Sequence, residues 1–217
     1  MTSPARRDPP QPHAAALAQY RRRASVYDAE LARFEPIRHA AIARLPLQRG
    51  DTVLDIGCGT GLSLPLLQQA VGPGGRIVGI EQCPEMLARA RERVRHARWR
   101  NLTLIQAPAE GARIACTADA ALFHFTHDIL REPQALANVA RSLRPGAHVV
   151  ACGLQWAGLW AWPVNLFVLG AALRSVSSLD GLHRPWSLLG ASLDDLSVES
   201  LLGGAVFLVH GTRRGSA

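Results

Sequence analysis

The chain runs to 217 residues, 48% of them hydrophobic and 19% charged, a composition that supports one domain with a sizeable core and excludes a disordered chain. Its formal charge is +7, and its basic residues are all arginine. They are spread along the chain, apart from Arg21-Arg22-Arg23 and a run from Arg89 to Arg100 on an amphipathic helical pattern, which is the habit of a solvated helix face rather than a nucleic-acid groove.

Residues 1–15 are rich in Pro, Ala and Arg and lack the apolar core of a signal peptide, so they read as a disordered leader. The rest reads as a single domain, 16–217: a helical cap (16–49), a strand–helix core (50–153) and a closing region (154–217). The cap is an amphipathic helical region from about Ala14 to Leu45, ended by Pro46 and Gly50. Thr52 to Ile56 is a short apolar run stopped by glycines, hence a buried strand. Leu62 to Val71 predicts a helix with Pro65 tolerated in its first turn, and Gly72-Pro73-Gly74-Gly75 a turn. Arg76 to Glu81 is the second strand and Pro84 to His96 the second helix, opened by its proline. Strands follow at Leu102 to Gln106 and Ala118 to Phe125, a helix at Pro133 to Leu143 and a fifth strand at His148 to Gly153. Two short strands, Leu196 to Ser200 and Ala205 to His210, finish the chain with no long helix between them. The alternation predicts a doubly wound α/β fold: a mostly parallel seven-stranded sheet, helices on both faces, and an antiparallel hairpin at one edge.

Leu154 to Leu173 is almost wholly apolar and approaches the length that crosses a bilayer. Pro163, Asn165 and its glycines argue instead for a buried helix or one lining a greasy pocket. The four cysteines, Cys58, Cys83, Cys116 and Cys152, form no C-x-x-C pair and no zinc spacing with histidine, so a reduced cytoplasmic protein without a metal is expected.

The most informative stretch is Asp55-Ile56-Gly57-Cys58-Gly59-Thr60-Gly61. A glycine turn between a strand and a helix lets a ligand approach the backbone and the helix N-terminus. The dinucleotide fingerprint G-x-G-x-x-G fails here, because Leu62 stands where its third glycine would be. Glu81, at the end of the next strand, is placed to accept hydrogen bonds from two ribose hydroxyls.

These residues resemble the cofactor loop of class I S-adenosylmethionine-dependent methyltransferases. Ile80-Glu81-Gln82-Cys83-Pro84-Glu85-Met86-Leu87 is similar to that family's ribose-binding strand end, and Leu143-Arg144-Pro145-Gly146 to its turn into the fifth strand. Tyr20 to Asp28 resembles the Y-x-x-x-A-x-x-Y-D segment of its quinone and lipid-head-group branch. The resemblance implies a Rossmann-like fold and S-adenosylmethionine as cofactor, with S-adenosylhomocysteine as product. It implies a cofactor site made by Tyr20, Tyr27, Asp55, Gly57, Cys58, Gly59, Gly61, Glu81, Gln82, Met86, Ala109, Glu110 and Phe125. The two tyrosines would close over the methionine end; their spacing also suits a shared helical core face. One departure stands out: Gln106-Ala107-Pro108-Ala109-Glu110 has proline where the family often carries an acid that meets adenine.

A sulfonium is already an activated methyl donor, so the protein must align donor and acceptor and exclude water. A base matters only if the acceptor is a hydroxyl. His127 and His124, at the end of the fourth strand, are the expected catalytic groups, with a core role as the alternative for His124. Trp156, Trp160, Trp162, His183 and Trp186 are expected to wall the acceptor site, favouring an apolar or aromatic acceptor, although each also suits the core. Three readings follow: a methyltransferase of a small, fairly apolar metabolite; a lipid-head-group or quinone methyltransferase peripheral to the membrane; and a cofactor-binding protein without turnover. No nucleic-acid partner is expected, and oligomeric state is left open.

Overall fold

The computed structural model describes residues 34–158, 161–175 and 181–215. The strands are β1 (Thr52–Ile56), β2 (Arg76–Glu81), β3 (Leu102–Gln106), β4 (Ala118–His124), β5 (Leu143–Leu154), β6 (Leu193–Leu201) and β7 (Val206–Arg213). They form one sheet in the order β3-β2-β1-β4-β5-β7-β6. The first five run parallel, while β7 is antiparallel to both β5 and β6. This is the doubly wound sheet with an antiparallel edge hairpin that the alternation predicts. The second strand of the hairpin inserts between β5 and the first, which leaves β6 at the edge.

The helices are α1 (Glu35–Ala43), α2 (Leu64–Val71), α3 (Pro84–Ala97), α4 (His127–Leu130), α5 (Pro133–Arg141), α6 (Trp162–Ser175) and α7 (Ser187–Gly190). Side chains alternate across the strands, so each strand feeds two cores. Val53, Leu122, Val150 and Leu208 pack under Ile37 and Ala41 of α1 and Leu64 and Leu67 of α2. Leu54, Ile56, Phe123 and Val149 face the other way, onto Leu136 and Val139 of α5. Buried on both faces, the central strands are near-continuous apolar runs, as parallel strands require.

Several boundaries differ from expectation for local reasons. α2 begins at Leu64 rather than Leu62, because Gly61 N–H bonds Cys58 O and Leu64 N–H bonds Gly61 O in a turn first. β5 starts at Leu143, five residues early, because Leu143 pairs with Ala118 before a register shift around the Gly146 turn. The apolar stretch after β5 becomes α6 from Trp162, with Pro163 in its first turn where no amide is missed. Among the described residues no helix is long and apolar enough to cross a membrane. Of the expected N-terminal helical region only α1 falls within the described residues; Tyr20, Tyr27 and Trp160 lie outside them.

Candidate functional site

The C-terminal ends of β1, β2 and β4 open into a crevice. This is the edge at which open parallel sheets bind ligands. Gly57, the first residue after β1, has φ 69°, and a Cβ there would lie 2.5 Å from Thr126 Cγ2, so the turn is closed to larger residues. Gly61 permits a second close approach, of the loop to Ala90 on α3, where a Cβ would meet Ala90 Cβ at 3.2 Å. Cys58 N–H donates to Ile80 O at 2.9 Å, tying the loop to β2.

Glu81 terminates β2 and joins loop to helix. Gly59 N–H donates to its Oε2 at 3.0 Å, and Cys83 N–H to its Oε1 at 2.7 Å. Burial raises its pKa, and the backbone N–H groups of Cys83, Gly59 and Gln82 pull it back down. Three backbone donors do not exhaust the roughly four lone-pair sites of a carboxylate, so the group is fixed in place yet still able to accept from a ligand.

The stretch after β3 forms the far wall. Ala107 N–H bonds Glu81 O at 3.2 Å, and Asn138 Nδ2 on α5 donates to Ala109 O at 2.8 Å and Ala112 O at 2.9 Å. The loop is thereby held by backbone and amide contacts, with no acid at the Pro108 position. Gly57, Gly59, Glu81, Gln82, Met86, Ala109, Glu110 and Phe125, all named from the sequence, line the crevice. Asp55, Cys58 and Gly61 support it from beneath instead: Asp55 is 2% exposed and Cys58 8%, and neither is among the lining residues.

Ile80, Ala107, Thr126 and Asp128, which fall within the segments read from the sequence, complete the lining together with Ile129 and Glu132, which sequence reasoning missed. Glu132 was legible only as the residue before Pro133; its carboxylate caps α5 by accepting Gln134 N–H at 3.2 Å. Arg38 was missed as well. It is 1% exposed, pairs with Glu35 one turn away, and its charge acts on Asp55, His124 and Cys152. Burial pushes Asp55 up to about 7, against the pull of Arg38 and with a push from Glu81. Arg38 Nε, Asp55 Oδ2, His124 Nε2 and Thr126 Oγ1 are buried without a hydrogen-bond partner.

The two histidines are not presented to the crevice. His127 is 6% exposed, and its Nε2 lies 2.9 Å from Leu154 O. A carbonyl only accepts, so Nε2 carries the proton. The ring packs edge-on against Phe207, and burial lowers its pKa. His127 thus bolts the turn after β4 to the end of β5. His124 sits beside Phe125, 4.9 Å between ring centres; burial, then Arg38, lowers it to about 3. A base so weak takes no proton at neutral pH. Phe125 itself adopts φ 58°, an uncommon state for a bulky residue, held by its N–H to Cys152 O at 2.8 Å. The turn sets Phe125 at the crevice wall, its ring 5.1 Å from that of Phe34.

The expected aromatic wall does not assemble among the described residues. Trp156 packs half-buried on the α1 face of the sheet, while Trp186 lies on the opposite face, 5.1 Å from Phe207. Trp162 is 70% exposed, His183 is exposed, and none of the four lines the crevice. The indoles of Trp156 and Trp186 serve the two cores, which is the alternative their apolar bodies always allowed.

Residues 53–146, from β1 to the turn inside β5, match a family model described as a methyltransferase domain. The sheet order is that of a Rossmann-like fold, and the matched segment, under half of the chain, is similar to a methyltransferase domain. An uncharacterized 37.1 kDa protein in transposon TN4556 of Streptomyces fradiae is 35% identical over 142 residues, 61% of this chain and 39% of that protein. The demethylmenaquinone methyltransferase of Shouchella clausii is 29% identical over 52% of this chain and 49% of its own length. The chain therefore spans less than half the length of either relative. Among solved structures, the N-methyltransferase NodS of Bradyrhizobium japonicum in complex with S-adenosylhomocysteine shares the fold at a TM-score of 0.68, with 18% identity over 92% of this chain and 99% of that one.

Proposed function

We propose that the chain is an S-adenosylmethionine-dependent methyltransferase acting on a small, fairly apolar acceptor. The observation that carries this reading is the Glu81 carboxylate, locked by Gly59 and Cys83 amides at the mouth of a glycine-lined crevice. The residues present fit an adenosyl group. Glu81 accepts from the sugar hydroxyls; Ile80, Met86 and Ile129 supply apolar surface for a purine; and the close approach at Gly57 leaves the backbone bare.

When bound, the cofactor supplies a methyl group on a sulfonium. The chain's own contribution is placement: Phe125 and Thr126 border the crevice beside the loop, and the Phe125–Phe34 pair excludes water from that side. His127 is engaged to Leu154 O, His124 is buried and only weakly basic, and neither lines the crevice, so neither takes a proton from the acceptor. This favours an acceptor that is nucleophilic without a protein base, such as an amine, a thiolate or an acidic phenol. His127 then acts as a positioning residue.

Calorimetry with S-adenosylhomocysteine tests the reading first, followed by methyl transfer from labelled cofactor to a panel of amines, thiols and phenols. Binding and turnover support it. Binding with no turnover across the panel supports a non-catalytic cofactor-binding protein, and absence of binding removes the cofactor assignment.

A further inference from the structure

An apolar face on the described surface is left uncovered by the fold. The inner side of α6 is well satisfied: Val168 is fully buried, Asn165 exchanges hydrogen bonds with Ala157, and Val164 lies against Gly203 in the turn between β6 and β7, 3.6 Å from where a Cβ would stand. The outer side is as apolar as the inner. Trp162 is 70% exposed and Leu166, one turn on, 63%; Leu202, in the turn that Val164 touches, is 56% exposed. These three are the most exposed large hydrophobic residues described. A helix apolar all round is built to be covered on every side, and a contiguous exposed apolar patch marks an interaction site.

Charge narrows the choice of cover. α6 and the segment that leads into it, residues 155–175, carry no acidic residue, in a chain of net charge +7. An acid-free apolar face on a cationic protein is complementary to a bilayer with anionic headgroups. Two copies joined through the same face would bring like charge together. The side chain at the start of the helix is tryptophan, the residue whose ring suits the boundary between headgroups and acyl chains. No described helix is long enough to span, so the contact lies on the surface. β5 ends at Leu154, the edge of the sheet at which the crevice opens, and α6 follows it there.

We propose that the outer face of α6, through Trp162 and Leu166 together with Leu202, docks this protein on an anionic lipid surface. The contact is one of binding and goes beyond the proposed methyl transfer, so it is read without turnover. The full chain is sedimented with sucrose-loaded vesicles of phosphatidylglycerol and phosphatidylcholine, and with vesicles of phosphatidylcholine alone. The wild type is expected to sediment with the anionic vesicles, and brominated acyl chains to quench part of its tryptophan fluorescence. The double variant Trp162→Ser/Leu166→Gln is expected to bind roughly tenfold more weakly or worse, from the apolar area removed, with circular dichroism and urea midpoint unchanged. Leu202→Gln, in a different element, should weaken binding in the same direction and stands in if the double variant misfolds. Three results overturn the proposal: no sedimentation with anionic vesicles; equal sedimentation of wild type and variants, which leaves only arginine attraction; or a wild-type dimer in light scattering that the double variant loses, which makes a second copy the cover.

Discussion

Replacing Glu81 by alanine tests the centre of the proposed site. The carboxylate accepts two backbone N–H groups, Gly59 at 3.0 Å and Cys83 at 2.7 Å. Hydrogen bonds to a charged group contribute about 1.5–3 kcal/mol each. Gly59 lines the crevice and can be hydrated in the variant, so a combined stability loss of about 2–3 kcal/mol is expected. The ligand loses its sugar anchor as well. Two neutral hydroxyls on one carboxylate contribute about 1–3 kcal/mol, which is roughly a 5- to 150-fold loss of affinity. Because the carboxylate is already held in the ligand-free protein, none of this loss can be recovered by rearrangement of the loop. Isothermal titration of S-adenosylhomocysteine into wild type, Glu81→Ala and Glu81→Gln measures it. The glutamine keeps the shape and one acceptor and should fall between the other two. Burial raises the Glu81 pKa, so wild-type affinity should start to fall, on acidification, at a higher pH than an ordinary glutamate would give. An alanine variant that stays folded and binds within twofold of wild type would refute the placement of the sugar.

Gly57→Ala forces φ 69° on a residue with a Cβ and drives that atom to 2.5 Å from Thr126, a cost of about 2 kcal/mol or more; thermal unfolding should register it, and wild-type affinity for S-adenosylhomocysteine would contradict the close approach. Asp55 has a pKa of about 7 in the fold against an ordinary 3.8, so between those pH values the folded state holds a proton the unfolded state has lost. Stability from this group therefore falls as pH rises through the window, by up to about 4 kcal/mol. Asp55→Asn should flatten that slope in urea titrations run from pH 4 to 8, and parallel slopes in both proteins would count against it. His124 behaves oppositely: its pKa drops from 6.5 to about 3, so its contribution is complete above 6.5 and is lost on acidification below it. His124→Gln should reduce acid sensitivity below pH 6, and an unchanged acid limb would show that the ring is not buried neutral.

How much was legible in the sequence depended on whether a role was written in the backbone or in side-chain contacts. Asp55 to Gly61 and Glu81 are backbone signals, with glycines where positive φ is needed and an acid at a strand end, and five of the strands could be placed from apolar runs. The crevice lining around Gly57, Glu81 and Met86 followed from those alone. The residues that the structure sets away from the crevice are those whose character suits two environments. An indole is equally at home in a core or a pocket, so Trp186 could not be told from an acceptor wall until Phe207 was seen beside it. A histidine past a strand end looks catalytic until its Nε2 meets the Leu154 carbonyl. Arg38 could not be found at all, because only the packing of α1 over β4 and β5 turns a helix arginine into a buried charge.

The distribution of charge around the crevice bears on how a cycle of transfer would run. Glu81, Glu110, Asp128 and Glu132 line it, and no basic side chain among the described residues does, although the chain as a whole carries +7. On the proposed reading the donor carries a sulfonium cation and the product a neutral thioether in its place. Carboxylates spaced around a half-enclosed site of lowered dielectric stabilise the cation more than the neutral product. The methyl transfer itself then removes the charge to which the site is complementary. Product release gains from the same carboxylates that favour donor binding.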